Sequence, residues 1–126
     1  MIKNILLDLD GVCADFFSAA LDRLNHATGK SITYDKYMEY PCYEMESKFG
    51  LTRDEFWSII DRGRFWQDLK PFYWTKDLYR MLSSIAPVTI ASSPSPWLEC
   101  VPQKLLWVKD YLGLQKNLVY LGRENI

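Results

Sequence analysis

The sequence has little of several features that would point to particular classes of protein. Its 126 residues include one histidine and three cysteines, and the cysteines form no C-x-x-C pair. A histidine-rich metal centre, a zinc site and a disulfide framework are therefore not expected, and a reducing compartment suits this composition. No apolar run is long enough to span a bilayer, and the short apolar start contains Lys3, so we expect neither a membrane segment nor a signal peptide. We expect a cytoplasmic protein.

An excess of charge of one sign is also missing, because the formal net charge is -1. Without a basic excess, the sequence gives no electrostatic reason to expect a nucleic-acid polymer or an acidic membrane as a partner. The contents of hydrophobic residues (48%) and charged residues (25%) are ordinary for a globular domain with one core. The aromatic content of 15% is on the high side for such a domain.

Strand-like and helix-like segments alternate along the chain. Apolar runs predict three β-strands, at about residues 2–9, 88–91 and 118–121. Because helical segments separate these strands, the strands should run parallel and be joined by right-handed crossovers. We therefore predict an α/β fold, a Rossmann-like parallel sheet with helices on both faces. In such sheets, ligands bind beyond the carboxyl ends of the strands.

Capping signals and apolar periodicity predict the helices. One helix should span about residues 15–28 and end at Gly29. A later helix begins with a capping box formed by Thr52 and Glu55. Thr75 can cap the next helix, and the last helix should span about residues 102–112. The side chains expected to be buried on the last two helices are Leu78, Met81, Leu82 and Ile85, and then Leu105, Leu106, Val108 and Leu112.

Two aspartates, one residue apart, end the first predicted strand. In an extended chain alternate side chains share a face, so Asp8 and Asp10 should project together, roughly 6.5–7 Å apart. Two like charges in this position repel each other and lose hydration, and a divalent cation or a reacting electrophile would offset that cost. Asp10 and Gly11 could instead form an ordinary turn, but a turn leaves Asp8 unexplained. We interpret the pair as a catalytic site.

Two further segments offer groups that could bind an anion. Ser92 and Ser93 follow the second predicted strand, where hydroxyl and free backbone N–H groups can hold phosphate oxygens. The same serines could simply belong to a polar loop. Lys104 lies in the first turn of the last predicted helix, where a cation opposes the helix dipole unless an anion is nearby. Since both the aspartates and the serines follow strand ends, they should meet at one edge of the sheet.

Taken together, these motifs resemble those of the haloacid dehalogenase superfamily of phosphohydrolases. The similarity is greatest to the 5'(3')-deoxyribonucleotidases, the cytosolic and mitochondrial enzymes and their bacterial and phage relatives. It covers nearly the whole chain in order, with a looser middle part. The residues that carry it are 8–16 (DLDGVCADF), 90–94 (IASSP) and 102–113 (PQKLLWVKDYLG).

The resemblance implies a role for each motif. Asp8 would be the nucleophile that forms an aspartyl-phosphate, and Asp10 would protonate the departing sugar oxygen and then activate water. Ser92 would hold a phosphoryl oxygen, and Lys104 would neutralise charge on the phosphoryl group and on Asp8. Magnesium would be bound by the Asp8 carboxylate, the backbone carbonyl of Asp10, phosphate and waters.

The resemblance also implies that residues 15–72 form a small helical cap inserted after the first strand. The core would then consist of residues 1–14 and 73–126. Candidate substrate-binding residues follow from this arrangement. Phe16 matches a position that stacks on the nucleobase, and Gly11 and Ser93 lie in the motifs beside the phosphate.

Three aromatic side chains are further candidates for a nucleobase pocket. Tyr43, Phe65 and Trp66 are chosen because a base needs flat apolar partners. Each of them could instead pack the cap against the core.

One part of the family pattern is missing from the sequence. The resemblance implies a fourth motif, one or two aspartates that complete the magnesium shell after a further strand. The sequence ends at Ile126, and Glu124 follows the last predicted strand too closely to fill that role. We expect a sheet that is incomplete at its C-terminus, in a piece of a longer protein or in a natural truncation that binds metal weakly. An unpaired sheet edge would also allow a homodimer.

The sequence thus favours a magnesium-dependent phosphatase whose small-molecule partner is a deoxyribonucleoside monophosphate. Two alternatives stay open. One is a phosphatase of the same superfamily that acts on another small phosphate ester. The other is a truncated, inactive relative that binds a nucleotide or a protein partner.

Overall fold

The computed structural model describes residues 1–40, 44–113 and 118–120, the last three by their backbone alone. Its first half contains β1 (Ile5–Asp8), α1 (Phe16–Thr28), α2 (Tyr34–Glu39), a 3₁₀ turn (Met45–Phe49) and α3 (Arg53–Ile60). Its second half contains α4 (Thr75–Ser83), β2 (Val88–Ser92), α5 (Cys100–Leu112) and β3 (Leu118–Tyr120).

The three strands form one parallel sheet in the order β1-β2-β3. Asp8 is level with Ala91 across the first pair of strands, and Ser92 is level with Tyr120 across the second. The predicted parallel α/β fold is therefore confirmed. Because β1 and β2 end nearly level, the polar residues that follow them come to the same edge of the sheet.

The first strand is shorter and less buried than the apolar run predicts. Only four residues pair in it, and Leu6 is 65% exposed whereas Leu7 is 6% exposed. Since neighbouring side chains of a strand face opposite sides of the sheet, Leu7 enters the core and Leu6 lies on a side that the described residues leave open.

The predicted boundaries of α1 and the predicted start of α3 agree with the structure to within a residue or two. Asp15 caps α1 by accepting a hydrogen bond from the Ser18 N–H, and Gly29 ends it in the left-handed conformation. The capping box of α3 is confirmed by both of its hydrogen bonds, between Thr52 and Glu55.

The predicted buried side of α5 is right only in part: Val108 is buried and Leu112 is half-buried, as expected. Leu105 and Leu106 are 40% and 43% exposed. The helix instead buries a stripe that repeats every three to four residues and includes two polar side chains, made of Cys100, Gln103, Lys104, Trp107 and Val108. The polar partners described below turn this stripe inward. The helix also begins at Cys100, earlier than predicted, so Lys104 lies in its second turn.

Two expectations for the preceding segment are also wrong. Thr75 lies within α4, where its hydroxyl donates to the Cys13 carbonyl at 2.7 Å, and Trp74 occupies the cap position. Met81 and Ile85, which were expected to be buried, are exposed. In addition, β2 includes Ser92, which was expected to start the loop.

The chain leaves the sheet after β1, and the stretch by which it leaves lies beside the stretch by which it returns. The Asp15 N–H donates to the Lys70 carbonyl at 2.8 Å, and the Phe72 N–H donates to the Cys13 carbonyl at 3.0 Å. The ends of the intervening segment are thus fixed next to the loop that follows Asp10. One buried cluster continues from the sheet, at Leu7, into this segment, at Ile60. Among the described helices, none is long and apolar enough to cross a membrane.

Candidate active site

The side chain of Lys104 joins the two polar strand ends. Its ammonium nitrogen lies 2.8 Å from Asp10 Oδ2, 2.5 Å from Ser92 Oγ and 2.9 Å from the Ser93 carbonyl oxygen. An ammonium group has three N–H donors, so these three acceptors satisfy it completely. The structure therefore brings together three of the four predicted catalytic residues.

The burial of the Lys104 side chain shows that its charge depends on these three acceptors. The Lys104 side chain is only 1% exposed, and a buried ammonium is costly unless it is paired and hydrogen-bonded. The ring of Trp66 covers a further side of the ammonium, 4.7 Å from the ring centroid. A fixed cation at the carboxyl ends of two parallel strands is suited to hold an anionic group there.

Asp8 ends β1 and stays exposed to solvent, with its Oδ1 accepting a hydrogen bond from the Leu9 N–H at 2.8 Å. Partial desolvation by the surrounding chain raises the pKa of its carboxyl group above the ordinary value of 3.8. The Leu9 hydrogen bond opposes this rise in pKa, the charge of Asp10 adds to it, and the charge of Lys104 opposes it. The two carboxylates and the ammonium therefore act on one another electrostatically, as the spacing of Asp8 and Asp10 predicts.

A tight turn holds Asp10 beside the strand end. The Leu9 carbonyl accepts hydrogen bonds from the backbone N–H groups of Cys13 and Ala14, both at 2.9 Å. Gly11 has φ +80°, and a Cβ added to it would lie 3.1 Å from the Phe17 ring. Glycine is therefore required at Gly11 by its conformation and by its close contact with the first turn of α1.

The oxygen atoms at this turn could supply part of the coordination shell of a hard divalent cation. Asp10 Oδ1 is buried and has no hydrogen-bond partner within the described part of the chain. The exposed Asp8 carboxylate supplies further oxygen atoms, the ligand type that magnesium prefers. Over residues 1–40 and 44–113, however, no group of three or more metal-binding side chains is gathered.

The two serines differ in their surroundings. Ser92 is buried at the end of β2, whereas Ser93 is exposed and contributes its backbone carbonyl to Lys104. The Ser92 hydroxyl accepts from the ammonium, so its own O–H remains able to donate to an incoming oxygen.

The predicted aromatic residues form a stack beside Lys104. Phe16 lies parallel to Trp66, with ring centroids 5.4 Å apart and an interplanar angle of 12°, and it meets Phe65 edge-on at 5.9 Å. Phe65 and Trp66 are 4% and 2% exposed, which is the packing role that the sequence left open. Tyr43 lies outside the described residues.

A cavity of about 290 Å³ lies next to this stack. Phe16 lines it, and Phe17, the residue that packs against Gly11, is its neighbour in the wall. Phe65 and Trp66 do not line it. The other six residues of its wall were not identified from the sequence: Tyr37, Met45, Glu46, Arg53, Phe56 and Trp57.

Both described cysteines are free and buried near the site. Burial, with a smaller contribution from the charge of Asp8, raises the pKa of the Cys13 thiol to about 11. Burial is also the largest cause of the raised pKa of Cys100. Because the thiolate is the reactive form, neither residue is suited to be a nucleophile at neutral pH.

Two solved structures with a similar fold are named as hydrolases of the haloacid dehalogenase type. A haloacid dehalogenase-like family hydrolase from Streptococcus pneumoniae has a TM-score of 0.58 at 19% identity, covering 96% of this chain and 60% of that one. A subfamily IA hydrolase of the superfamily from Geobacter sulfurreducens has a TM-score of 0.52 at 14% identity, covering 99% of this chain and 64% of that one. The fold that the resemblance implied is thus confirmed.

Similar sequences carry the name of one enzyme. A putative 5'(3')-deoxyribonucleotidase of Bordetella pertussis is 34% identical over 116 residues, which is 86% of this chain and 60% of that protein. The cytosolic 5'(3')-deoxyribonucleotidase of Homo sapiens is 26% identical over 127 residues, covering 89% of this chain and 59% of that protein. The chain thus spans about three fifths of the length of these relatives.

The model of one protein family matches residues 1–126, the full length of the sequence. That family is described as "5' nucleotidase, deoxy (Pyrimidine), cytosolic type C protein". The chain belongs to this family.

Proposed function

We propose that this protein is a phosphatase that removes the phosphate group from deoxyribonucleoside monophosphates. The observation that carries the proposal is the buried Lys104 ammonium, held by Asp10, Ser92 and Ser93 at the end of the sheet. The family to which the chain belongs, and the names of its relatives, support a nucleotide as the substrate.

In this proposal Asp8 attacks phosphorus. Its exposure at the end of β1 leaves one side open to a substrate. As the bond between Asp8 and phosphorus forms, the bond from phosphorus to the sugar oxygen breaks, and Asp10 gives a proton to that oxygen. Asp10 then takes a proton from water, which attacks the aspartyl-phosphate and releases inorganic phosphate with Asp8 restored.

The charge that develops on the phosphoryl oxygens is met by groups already in place. Lys104 needs no solvent reorganisation, because it is buried and its position is fixed by four neighbours. The Ser92 O–H can donate to a second phosphoryl oxygen, since its lone pair already accepts from Lys104.

Magnesium is part of the proposal. The Asp8 carboxylate and the backbone carbonyl of Asp10 would hold it. The buried Asp10 Oδ1, which has no hydrogen-bond partner among the described residues, adds an acceptor nearby. When bound, the ion would lower the cost of bringing the phosphate dianion close to two carboxylates.

We also propose that residues 15–72 act as a cap and that the nucleobase lies against Phe16. Two observations support this. The cap segment supplies the wall of the cavity next to Phe16, and its ends are fixed by backbone hydrogen bonds beside the Asp10 turn. A cytosolic location belongs to the same proposal and is supported by the name of the human relative.

Phosphate release from a panel of deoxyribonucleoside monophosphates, with and without millimolar magnesium, tests the function. We expect turnover that Asp8→Asn lowers by at least about 10³-fold, because the nucleophile is lost. Asp22→Asn, on the exposed side of α1, is the matched control and should keep full activity.

Other outcomes would contradict the proposal in distinguishable ways. An Asp8→Asn protein with full activity would exclude Asp8 as the nucleophile. A preference for sugar phosphates would exclude a nucleobase at Phe16. Calorimetric heat on adding a nucleotide, without any phosphate release, would indicate a binding protein and not an enzyme.

A further inference from the structure

Gln103 ties α5 to one short segment of the cap. Its side-chain oxygen accepts hydrogen bonds from the backbone N–H groups of Trp66 and Gln67, both at 3.1 Å. Its side-chain nitrogen donates to the Gly63 carbonyl at 2.8 Å. The amide is buried, and these bonds use its oxygen fully and its nitrogen once. Residues 63–67 are thus held to the residue that directly precedes Lys104.

The backbone that Gln103 holds carries the ring that covers Lys104. The Trp66 ring centroid lies 4.7 Å from the Lys104 ammonium, and the Phe16 ring lies parallel to the Trp66 ring at 5.4 Å. The Trp66 indole N–H donates to Asp61 at 2.9 Å, and the same carboxylate oxygen accepts from Ser95 at 2.8 Å. The ring is therefore fixed at its backbone by α5 and at its indole edge by the loop that follows Ser92.

Trp66 limits where the Lys104 ammonium can lie. A lysine side chain has four rotatable carbon–carbon bonds, and it needs packing as well as hydrogen bonds to stay in one position. The ring face attracts the cation and excludes water from that side. A displaced ring would let water compete for the N–H groups that point to Asp10 and Ser92.

We propose that Gln103 is a positioning residue which, by fixing Trp66, holds the Lys104 ammonium against Asp10 and Ser92. This inference rests on the proposed phosphatase function. Gln103 itself does not touch the phosphoryl group. Its effect should appear in the chemical step, where an ammonium misplaced by a fraction of an ångström stabilises the transition state less.

A second contact between α5 and the cap provides a matched control. The Trp107 indole N–H donates to the Leu69 carbonyl at 2.7 Å, in a fully buried position on the same helix. Trp107→Phe removes this tether and keeps the side chains of Gln103, Trp66 and Lys104. If Gln103 only attached the cap to the core, Gln103→Met and Trp107→Phe should have similar consequences.

The test measures kcat and KM of the 126-residue protein with a deoxyribonucleoside monophosphate and with para-nitrophenyl phosphate. We expect Gln103→Met to lower kcat roughly 10- to 100-fold for both substrates, with a much smaller change in KM. Trp107→Phe should keep kcat within about threefold of that of the unaltered protein, even if it lowers the melting temperature as much as Gln103→Met does. Gln103→Glu keeps the acceptor for the Trp66 and Gln67 N–H groups, so its kcat should lie above that of Gln103→Met.

A double-substitution cycle tests whether Gln103 acts through Trp66. In a Trp66→Leu protein, adding Gln103→Met should change kcat by less than about twofold, since the ring through which it acts is gone. Full additivity of the two changes would overturn the proposal. So would equal losses of kcat in Gln103→Met and Trp107→Phe, or a Gln103→Glu protein no more active than Gln103→Met.

Failure of the proposed function can be separated from failure of this inference. If the unaltered protein releases no phosphate from any ester, the phosphatase proposal fails, and the positioning role is read from inorganic phosphate binding by calorimetry. Gln103→Met should then weaken phosphate binding roughly tenfold, and Trp107→Phe should not. Equal phosphate affinities in the two variants would overturn the positioning role.

Discussion

The Lys104 ammonium nitrogen lies 2.8 Å from Oδ2 of Asp10, although 94 positions separate the two residues in the sequence. Asp10 follows the first strand, and Lys104 lies in the second turn of the last described helix. The lysine side chain is 1% exposed and the aspartate side chain 25% exposed. Burial has removed much of the water around the Lys104 ammonium and the Asp10 carboxylate, so each charge needs the other for its stabilisation.

The first prediction concerns the stability of this pair. Lys104→Met should lower the free energy of unfolding by about 1–3 kcal/mol, because it leaves the partly buried Asp10 carboxylate unpaired. Adding Asp10→Asn should restore part of the loss, since the unpaired charge is then removed. Denaturant unfolding of the two single variants and the double variant measures the coupling.

The control for this cycle is the ion pair of Arg80 and Asp77 on α4, with a contact of 3.8 Å and both side chains at least 80% exposed. Arg80→Met should change the free energy of unfolding by no more than about 0.5 kcal/mol. Strictly additive effects of Lys104→Met and Asp10→Asn would mean that the buried contact contributes nothing to the fold.

The convergence of Asp10, Ser92 and Lys104 could be predicted from the sequence for a physical reason. Parallel strands bring their carboxyl ends to one edge, so two polar strand ends must meet there whatever the loops do. A lysine near the start of the following helix lies within reach of that edge. Predicting where these residues lie therefore needs only local sequence patterns and one general rule of sheet geometry.

The buried side of α5 could not be predicted in the same way. Apolar periodicity places Leu105 and Leu106 inside. The helix instead turns Gln103 and Lys104 inward, because their partners are the backbone of Trp66 and the residues at the strand ends. The cavity wall was missed for a related reason. Tyr37, Met45 and Phe56 come from three separate elements, and only the packed structure brings them together.

The second prediction concerns Asp8 and pH. Since the pKa of Asp8 is above 3.8 in the folded state, the folded protein binds this proton more tightly than the unfolded chain does. The contribution of Asp8 to stability should therefore fall as pH rises from about 3.8 through the pKa of the folded state, and stay at its lower level above it. At pH 7, Asp8→Asn should unfold at a higher denaturant concentration than the unaltered protein.

Titration of the Asp8 carboxyl carbon by NMR measures the pKa directly. We expect its midpoint above 3.8 in the unaltered protein, lower in Asp10→Asn and higher in Lys104→Met, following the signs of the two neighbouring charges. Asp22→Asn is again the control for stability. An Asp8→Asn protein less stable than Asp22→Asn at pH 7 would contradict the raised pKa.

The third prediction concerns the turn between Asp10 and α1. Gly11→Ala should lower the free energy of unfolding by about 2–3 kcal/mol, because alanine is strained at φ +80° and its Cβ would press on the Phe17 ring at 3.1 Å. Gly29 has φ +73°, and no atom of the residues that the structure describes lies within 4 Å of an added Cβ, so Gly29→Ala should cost only about 1 kcal/mol. Denaturant unfolding of both variants isolates the contact with Phe17, and equal losses would show that this contact is unimportant.

The fourth prediction concerns Phe16 and the nucleobase. The Phe16 ring lies flat on Trp66 and lines the cavity of about 290 Å³, so Phe16→Leu should raise the KM for a deoxyribonucleoside monophosphate about tenfold, as expected for a lost stacking partner. For para-nitrophenyl phosphate, kcat/KM should change by less than about threefold, since the proposed phosphate contacts are those of Ser92 and Lys104. Phe49→Leu, buried in the 3₁₀ turn and absent from the cavity wall, controls for the general loss of packing. Equal loss of activity toward both substrates in Phe16→Leu would place the base elsewhere, because a stacking role must distinguish an ester that carries a nucleobase from one that does not.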